Sequence, residues 1–216
     1  MRSTCFSYIA FALAFGLTAC GPQRMMDHQA YRAWYQNSLE ELQVHKTVNS
    51  LDLLVQYVPG DVRILSLLES QPAKKALSAD SLQSLADHML TFEVKIKPSE
   101  NVGGDLMFRG IKSHADNDER LKDLTFHAKE QFELEANGQT LYPVLSHFEN
   151  NIGLTREKVL ILVFSTDEAL SQSSSLRLNW DDQNFSTGKH HFVFAQDLIA
   201  ELPSLNYETL IDHDDL

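Results

Sequence analysis

The chain has 216 residues, with 30 acidic against 18 basic side chains and a formal net charge of −12 at pH 7. An acidic body of this kind argues against nucleic acid as a partner and against electrostatic attraction to anionic lipid. The length suits one domain with enough core to fold without covalent staples.

Arg2 supplies a short positive head, and residues 6–17 form an apolar run of about a dozen residues. A membrane-spanning helix needs roughly 20 such residues, so this run fits the hydrophobic region of a signal peptide. It ends in Leu17-Thr18-Ala19-Cys20, followed by the helix-breaking Gly21-Pro22. The four residues resemble the lipobox of bacterial lipoproteins. That resemblance implies cleavage between Ala19 and Cys20, a diacylated Cys20 thiol and acylation of the new amino group. Two or three acyl chains suffice for a stable membrane anchor. Gly21 stands where an aspartate would resemble an inner-membrane retention signal, so the expected address is the outer membrane of the cell envelope. Cleavage removes Cys5 and Arg2, leaving a net charge of −13 and a single cysteine that carries lipid. A disulfide, a cysteine nucleophile and a cysteine-rich zinc site are thereby excluded.

Residues 20–29 read as a tether. From 29 to 46, Tyr31, Trp34, Tyr35, Leu39 and Leu42 recur at helical spacing and predict one amphipathic helix. A strand is expected over 51–58 and a turn at Pro59-Gly60. A helix then runs from Asp61, its N-cap, to about Ser70. Leu82, Leu85, Ala86 and Met89 share a face of a second helix over 78–90, capped by Ser78 or Asp80. Phe92, Val94 and Ile96 alternate with charged neighbours over 91–98, the pattern of a half-buried strand ended by Pro98. Residues 99–120 read as a long loop.

Leu124, Phe126, Ala128, Phe132 and Leu134 occupy even positions, as do Tyr142, Val144 and Phe148 after Asn137-Gly138. This predicts a long hairpin, bent near Glu130, with a three-residue loop that keeps even residues opposite even ones. Residues 158–164 form a continuous apolar run expected to be a central strand. Alternation of Leu176, Leu178 and Trp180, and then the stretch 190–195, adds two more strands before a short helix over 196–201. The expected fold is α+β: N-terminal helical segments followed by a mostly antiparallel, β-sandwich-like domain. By segment it comprises a signal peptide (1–19), the tether (20–29), a helix-rich part with one strand (30–90), the β-rich domain (91–203) and an acidic tail (204–216). The C-terminal two-thirds of the chain resembles immunoglobulin-like domains of bacterial lipoproteins of unassigned function.

Catalytic patterns such as Gly-x-Ser-x-Gly and His-Glu-x-x-His do not occur. The stretch 186–190 lacks the upstream glycine of a phosphate-binding loop and reads as a turn. The overlapping calcium-loop pattern fails because Val193 occupies the place of its bidentate glutamate. In the three-residue-loop register, His127 lies opposite His147. Two imidazoles so placed could share a divalent metal, with Glu149 or His190-His191 adding a ligand; the plainer expectation is two solvated histidines. Asp181-Asp182 reads as a turn, and Glu130 as turned outward by the bend. The functional expectation is a non-enzymatic lipoprotein, held at the membrane by its acyl chains and supporting or binding an envelope protein. The alternatives are a small-ligand or metal-binding lipoprotein and a hydrolase with an unrecognised site.

Overall fold

Two antiparallel sheets and a helical layer make up the computed structural model. It describes residues 24–70, 77–99, 103–136, 138–149, 155–165, 175–195, 198–199 and 201–212. The elements run β1 (Met25–Met26), α1 (His28–Asn37), β2 (Gln43–Val48), β3 (Leu51–Val58), α2 (Gly60–Ser70), α3 (Ala79–Asp87) and β4 (Met89–Pro98). A 3-10 turn (Leu106–Phe108) and α4 (His114–Lys122) precede β5 (Phe132–Ala136), β6 (Gln139–Leu141) and β7 (Leu145–Phe148). The remainder is β8 (Lys158–Ser165), β9 (Ser175–Asp182), β10 (Gly188–Ala195), β11 (Ser204–Leu205) and α5 (Tyr207–Asp212). One sheet has the order β2-β3-β4-β8-β7 and the other β10-β9-β5-β6, while β1 pairs with β11 in parallel. The fold is α+β with antiparallel sheets.

Strand alternation decides which side chains meet. Leu51, Leu53, Val55 and Tyr57 of β3 and Leu90, Phe92, Val94 and Ile96 of β4 point to one face and are buried. They share a core with Phe132, Leu134, Leu176, Leu178, Trp180, Phe192 and Phe194 of the second sheet. Phe92 is its hub: its ring centroid lies 5.5 Å from Tyr57, 5.9 Å from Phe164 and 5.3 Å from Phe194. A second cluster joins Tyr31, Ile64, Leu65, Leu68, Leu82 and Ala86 of α1, α2 and α3 to Leu205, Tyr207 and Leu210. In that layer Gly60 lets two helices touch, since a Cβ there would stand 2.2 Å from the Ala86 carbonyl oxygen.

The strands expected over 51–58, 91–98 and 158–164 match β3, β4 and β8, and α2 stands where expected; α3 ends at Asp87, and Met89, expected on its face, opens β4 instead. Several expectations need correction. Residues 25–26, read as part of a tether, form β1, and α1 already begins at His28 behind its N-cap Asp27. The helix over 29–46 stops at Asn37. Beyond it Leu42 is buried and Val44 and Val48 pack on the sheet core, an alternation that makes residues 43–48 the strand β2. The loop over 99–120 contains α4, started by a capping box between Ser113 and Asp116.

The largest correction lies at 123–131, which is a π turn (Asp123–His127) followed by a 3-10 turn (Ala128–Gln131). Leu124 and Ala128 lie four residues apart, so a helical face buries both of them. Phe126 is left exposed, and Glu130 lies outward because of the helical turn and not a strand bend. The hairpin loop has two residues, not three: Ala136 pairs with Gln139 and Leu134 with Leu141. Tyr142 and Val144, expected inward, are exposed, because β6 ends there and the chain crosses to the other sheet as β7. Residues 204–212, read as tail, are β11 and α5. Leu198 and Ile199 are helical within the expected segment 196–201, whose residues 196, 197 and 200 lie outside the described residues.

Candidate functional site

The outward face of β3 and β4, opposite the sheet core, is roofed by α1 and α2. Between them lies a groove of about 380 Å³, within the size range of small-molecule sites. Leu39, Val58, Val62 and Leu65 give it apolar walls, while Tyr35 and Arg32 come from α1, Arg63 from α2, Gln56 from β3 and Glu93 and Lys95 from β4. The alternation that buries Val55 and Val94 turns Gln56, Glu93 and Lys95 into this groove.

The polar groups form a directed chain. Lys95 Nζ donates to Gln56 Oε1 at 3.2 Å, and Gln56 Nε2 donates to the Tyr35 hydroxyl oxygen at 2.8 Å. A lysine ammonium has only protons to offer, so it fixes which end of the Gln56 amide faces it. Gln56 is buried, and the Tyr35 hydroxyl keeps its own proton available. Burial, reinforced by the nearby Glu93 charge, pushes Tyr35 up to about 12, so it stays a donor at neutral pH. Lys95 also lies 3.5 Å from Glu93, and Arg32 pairs with Glu69. Arg63 makes no ion pair with a described residue; its charge acts on Tyr35 in the sense opposite to Glu93.

Behind the groove sits a half-buried carboxylate. Asp61, expected as the N-cap of α2, lies inside its first turn instead. Its Oδ1 accepts the Tyr207 hydroxyl at 2.5 Å and its Oδ2 the Leu205 amide at 3.0 Å, with Tyr31 as a further partner. Burial raises its pKa above the usual aspartate value; the Tyr207 and Leu205 hydrogen bonds pull the other way, and nearby Asp87 adds to the rise. Burial likewise raises Tyr31 and Tyr207. This carboxylate clasps the segment 204–207 onto α2.

Ala19 and Cys20 lie outside the described residues. His127 and His147 are not cross-strand neighbours: His127 is in the π turn, 3.2 Å from Glu130, and His147 is on β7 opposite Ile161. The helical course of 123–131 removes the strand on which that pairing depended. Residues 190 and 191 alternate, so His191 is exposed and bonds Asn179 at 2.6 Å, whereas His190 is buried beside Trp180. Its Nε2 has no hydrogen-bond partner among the described residues, and burial, followed by the Lys46 charge, lowers its pKa. Glu149 directly follows β7, two residues from His147, and its amide bonds the Val159 carbonyl oxygen. Asp181 and Asp182 end β9 and are not the turn itself. Buried Asp182 organises that turn by accepting from the amides of Asn184, Phe185 and Thr187. Among the described residues no group of three or more His, Cys, Asp or Glu is placed to hold a metal ion. None of the groove residues stood out as a site in the sequence. The available signal was Gln56, a polar residue inside the otherwise apolar run 53–58.

No known protein family matches this chain, and no curated protein does either. A crystal structure of a "novel protein of unknown function" from Burkholderia pseudomallei K96243 is similar at 12% identity and a TM-score of 0.36. The match covers 81% of this chain and 88% of that one. A likeness at that level carries no argument about this chain. Among the described residues no helix is long and apolar enough to cross a membrane.

Proposed function

We propose that this chain is a lipid-anchored lipoprotein of the cell envelope that acts, without catalysis, as a binding module for an envelope partner. The anchor is Cys20, on the strength of the lipobox-like residues 17–20 and the signal-peptide pattern before them. The two sheets form an open sandwich, a reading supported by the core that both share. The observation that carries the binding role is the groove between α1, α2 and the outward face of β3 and β4. Its polar side chains are held by partners of their own before anything binds. Such preorganisation lowers the entropy lost on association.

Two experiments test the reading. Mass spectrometry of the N-terminal peptide from cells should find an acylated Cys20 that disappears in Cys20→Ala; an unmodified peptide cut elsewhere overturns the anchor. A photo-crosslinking residue at exposed Gln36, on the groove rim, should trap a specific envelope partner that the same residue at exposed Val193 does not. Equal labelling from both positions, or none from Gln36, overturns the groove as the binding site.

A further inference from the structure

We infer that the groove recognises an anion, a carboxylate or phosphate group on a partly apolar body, through the Tyr35 hydroxyl and the Arg63 guanidinium. The inference rests on the groove being the binding site and names the chemistry held there.

The argument is one of donors and acceptors. The chain carries 30 acids against 18 bases, yet three cations, Arg32, Arg63 and Lys95, line this groove against one carboxylate, Glu93. Two of the three are committed: Arg32 to Glu69, and Lys95 to Gln56 and Glu93. Arg63 is half-buried and has no ion pair with a described residue. A guanidinium offers several N–H groups in a planar fork and accepts nothing, so it matches a carboxylate or a phosphate. The chain of hydrogen bonds from Lys95 through Gln56 ends at Tyr35 with the donor pointing onward. The group it meets must therefore be an acceptor. Burial keeps the Tyr35 proton in place at neutral pH, and Glu93 is itself engaged by Lys95. Leu39, Val58, Val62 and Leu65 would cover the apolar part of the same molecule. A cation would meet two donors, and the one lining carboxylate, Glu93, is already engaged by Lys95.

Ligand-observed NMR titration of the full chain in detergent provides the test, with micelles alone as the blank. Benzoate and phenyl phosphate are the anionic probes, and benzyl alcohol and benzylamine the neutral and cationic matches. Either anion should bind at least tenfold more tightly than both matches, and the better anion tells carboxylate from phosphate. Arg63→Gln and Tyr35→Phe should each weaken the anion by roughly tenfold, the scale of one hydrogen bond to a charged group, and leave benzyl alcohol unchanged. Thermal melts of both variants show that they remain folded, and Arg63→Lys should keep part of the affinity. Equal binding of all four probes overturns the inference, as does the absence of anion binding or wild-type affinity in both variants. If Gln36 still traps a partner in cells, the groove survives as a binding site and only its anion chemistry falls.

Discussion

The sheet core and the helical layer are stabilised by different chemistry, although both are apolar clusters in one fold. Around Phe92 the contacts are between rings: Tyr57, Phe164 and Phe194 surround it, and Trp180 stacks on Phe132 at 5.4 Å. In the helical layer the apolar side chains surround a carboxylate that accepts bonds from Tyr207, Leu205 and Tyr31. Packing of rings on rings is indifferent to pH, whereas a half-buried acid ties its neighbourhood to a proton. The difference separates a scaffold from the layer that carries the groove, and each region fails in its own way.

Phe92→Ala should give the largest effect. The side chain is fully buried between the two sheets, and emptying such a site costs about 3–5 kcal/mol. Urea unfolding measures the loss, and a loss below 1 kcal/mol would mean that the sheets do not share this core. Asp61→Ala should follow, at about 1–3 kcal/mol, because the Tyr207 hydroxyl and the Leu205 amide lose their acceptor. Its signature should be local: limited proteolysis within 204–212 well before the sheets unfold. If sheets and C-terminal segment instead become cleavable together, the two regions are one cooperative unit.

The two regions also hold ionisable groups of opposite sense. The pKa of Asp61 is raised on folding, so its stabilisation is complete below about pH 3.9 and is lost as pH rises through the folded value. The pKa of His190, on the sheet side, is lowered, so its contribution is present above about pH 6.5 and is lost as pH falls toward the folded value. Unfolding curves between pH 3 and 8 should therefore change slope differently in two variants. Asp61→Asn should flatten the fall of stability with rising pH in the acid range. His190→Leu should flatten the rise with pH below neutrality. A variant that keeps the wild-type slope shows that its group does not change pKa on folding.

The sheet side was the more legible of the two in the sequence, and the reason is periodicity. Residues 51–58, 91–98 and 158–164 are long enough for their pattern to admit one reading, and they became β3, β4 and β8. Residues 124–131 failed because Leu124 and Ala128 satisfy periods of 2 and 3.6 alike, and the capping box at Ser113 that launches the preceding helix went unused. The Asn137-Gly138 turn was visible, but its register was not: pairing Leu134 with Leu141 sets apolar against apolar only if the even-numbered pattern stops at Pro143. The groove was invisible for a different reason. Gln56, Tyr35 and Arg63 lie on three elements, and nothing local announces that α1 and α2 cover the outer face of the sheet. Nor did the clasp show, since Asp61 and Tyr207 stand 146 residues apart.

The β2–β3 hairpin supplies the smallest prediction and the sharpest test of the sheet side alone. Its two-residue loop, Asn49-Ser50, has positive φ at both positions, 50° and 62°, the conformation for which Asn-Gly is the preferred pair. Without the glycine the turn escapes notice in the sequence. Asn49 fits the left-handed region and is also tied down, its side chain donating to the Ser186 carbonyl oxygen at 3.0 Å and its carbonyl accepting from Arg109 at 2.5 Å. Among the described residues Ser50 bonds through its carbonyl, which accepts from the Ser99 amide at 3.0 Å, and a glycine keeps that bond. Ser50→Gly relieves the Cβ crowding of the left-handed region, about 1–2 kcal/mol per residue, and gives back part of it to the greater freedom of the unfolded chain. The expected net gain is about 0.5–1 kcal/mol by urea unfolding, with proteolysis of 204–212 unchanged. A loss of stability would show that the Ser50 side chain contributes more than its backbone conformation costs. A change in the protection of 204–212 would show that the hairpin and the clasp, at opposite sides of the contrast, are coupled after all.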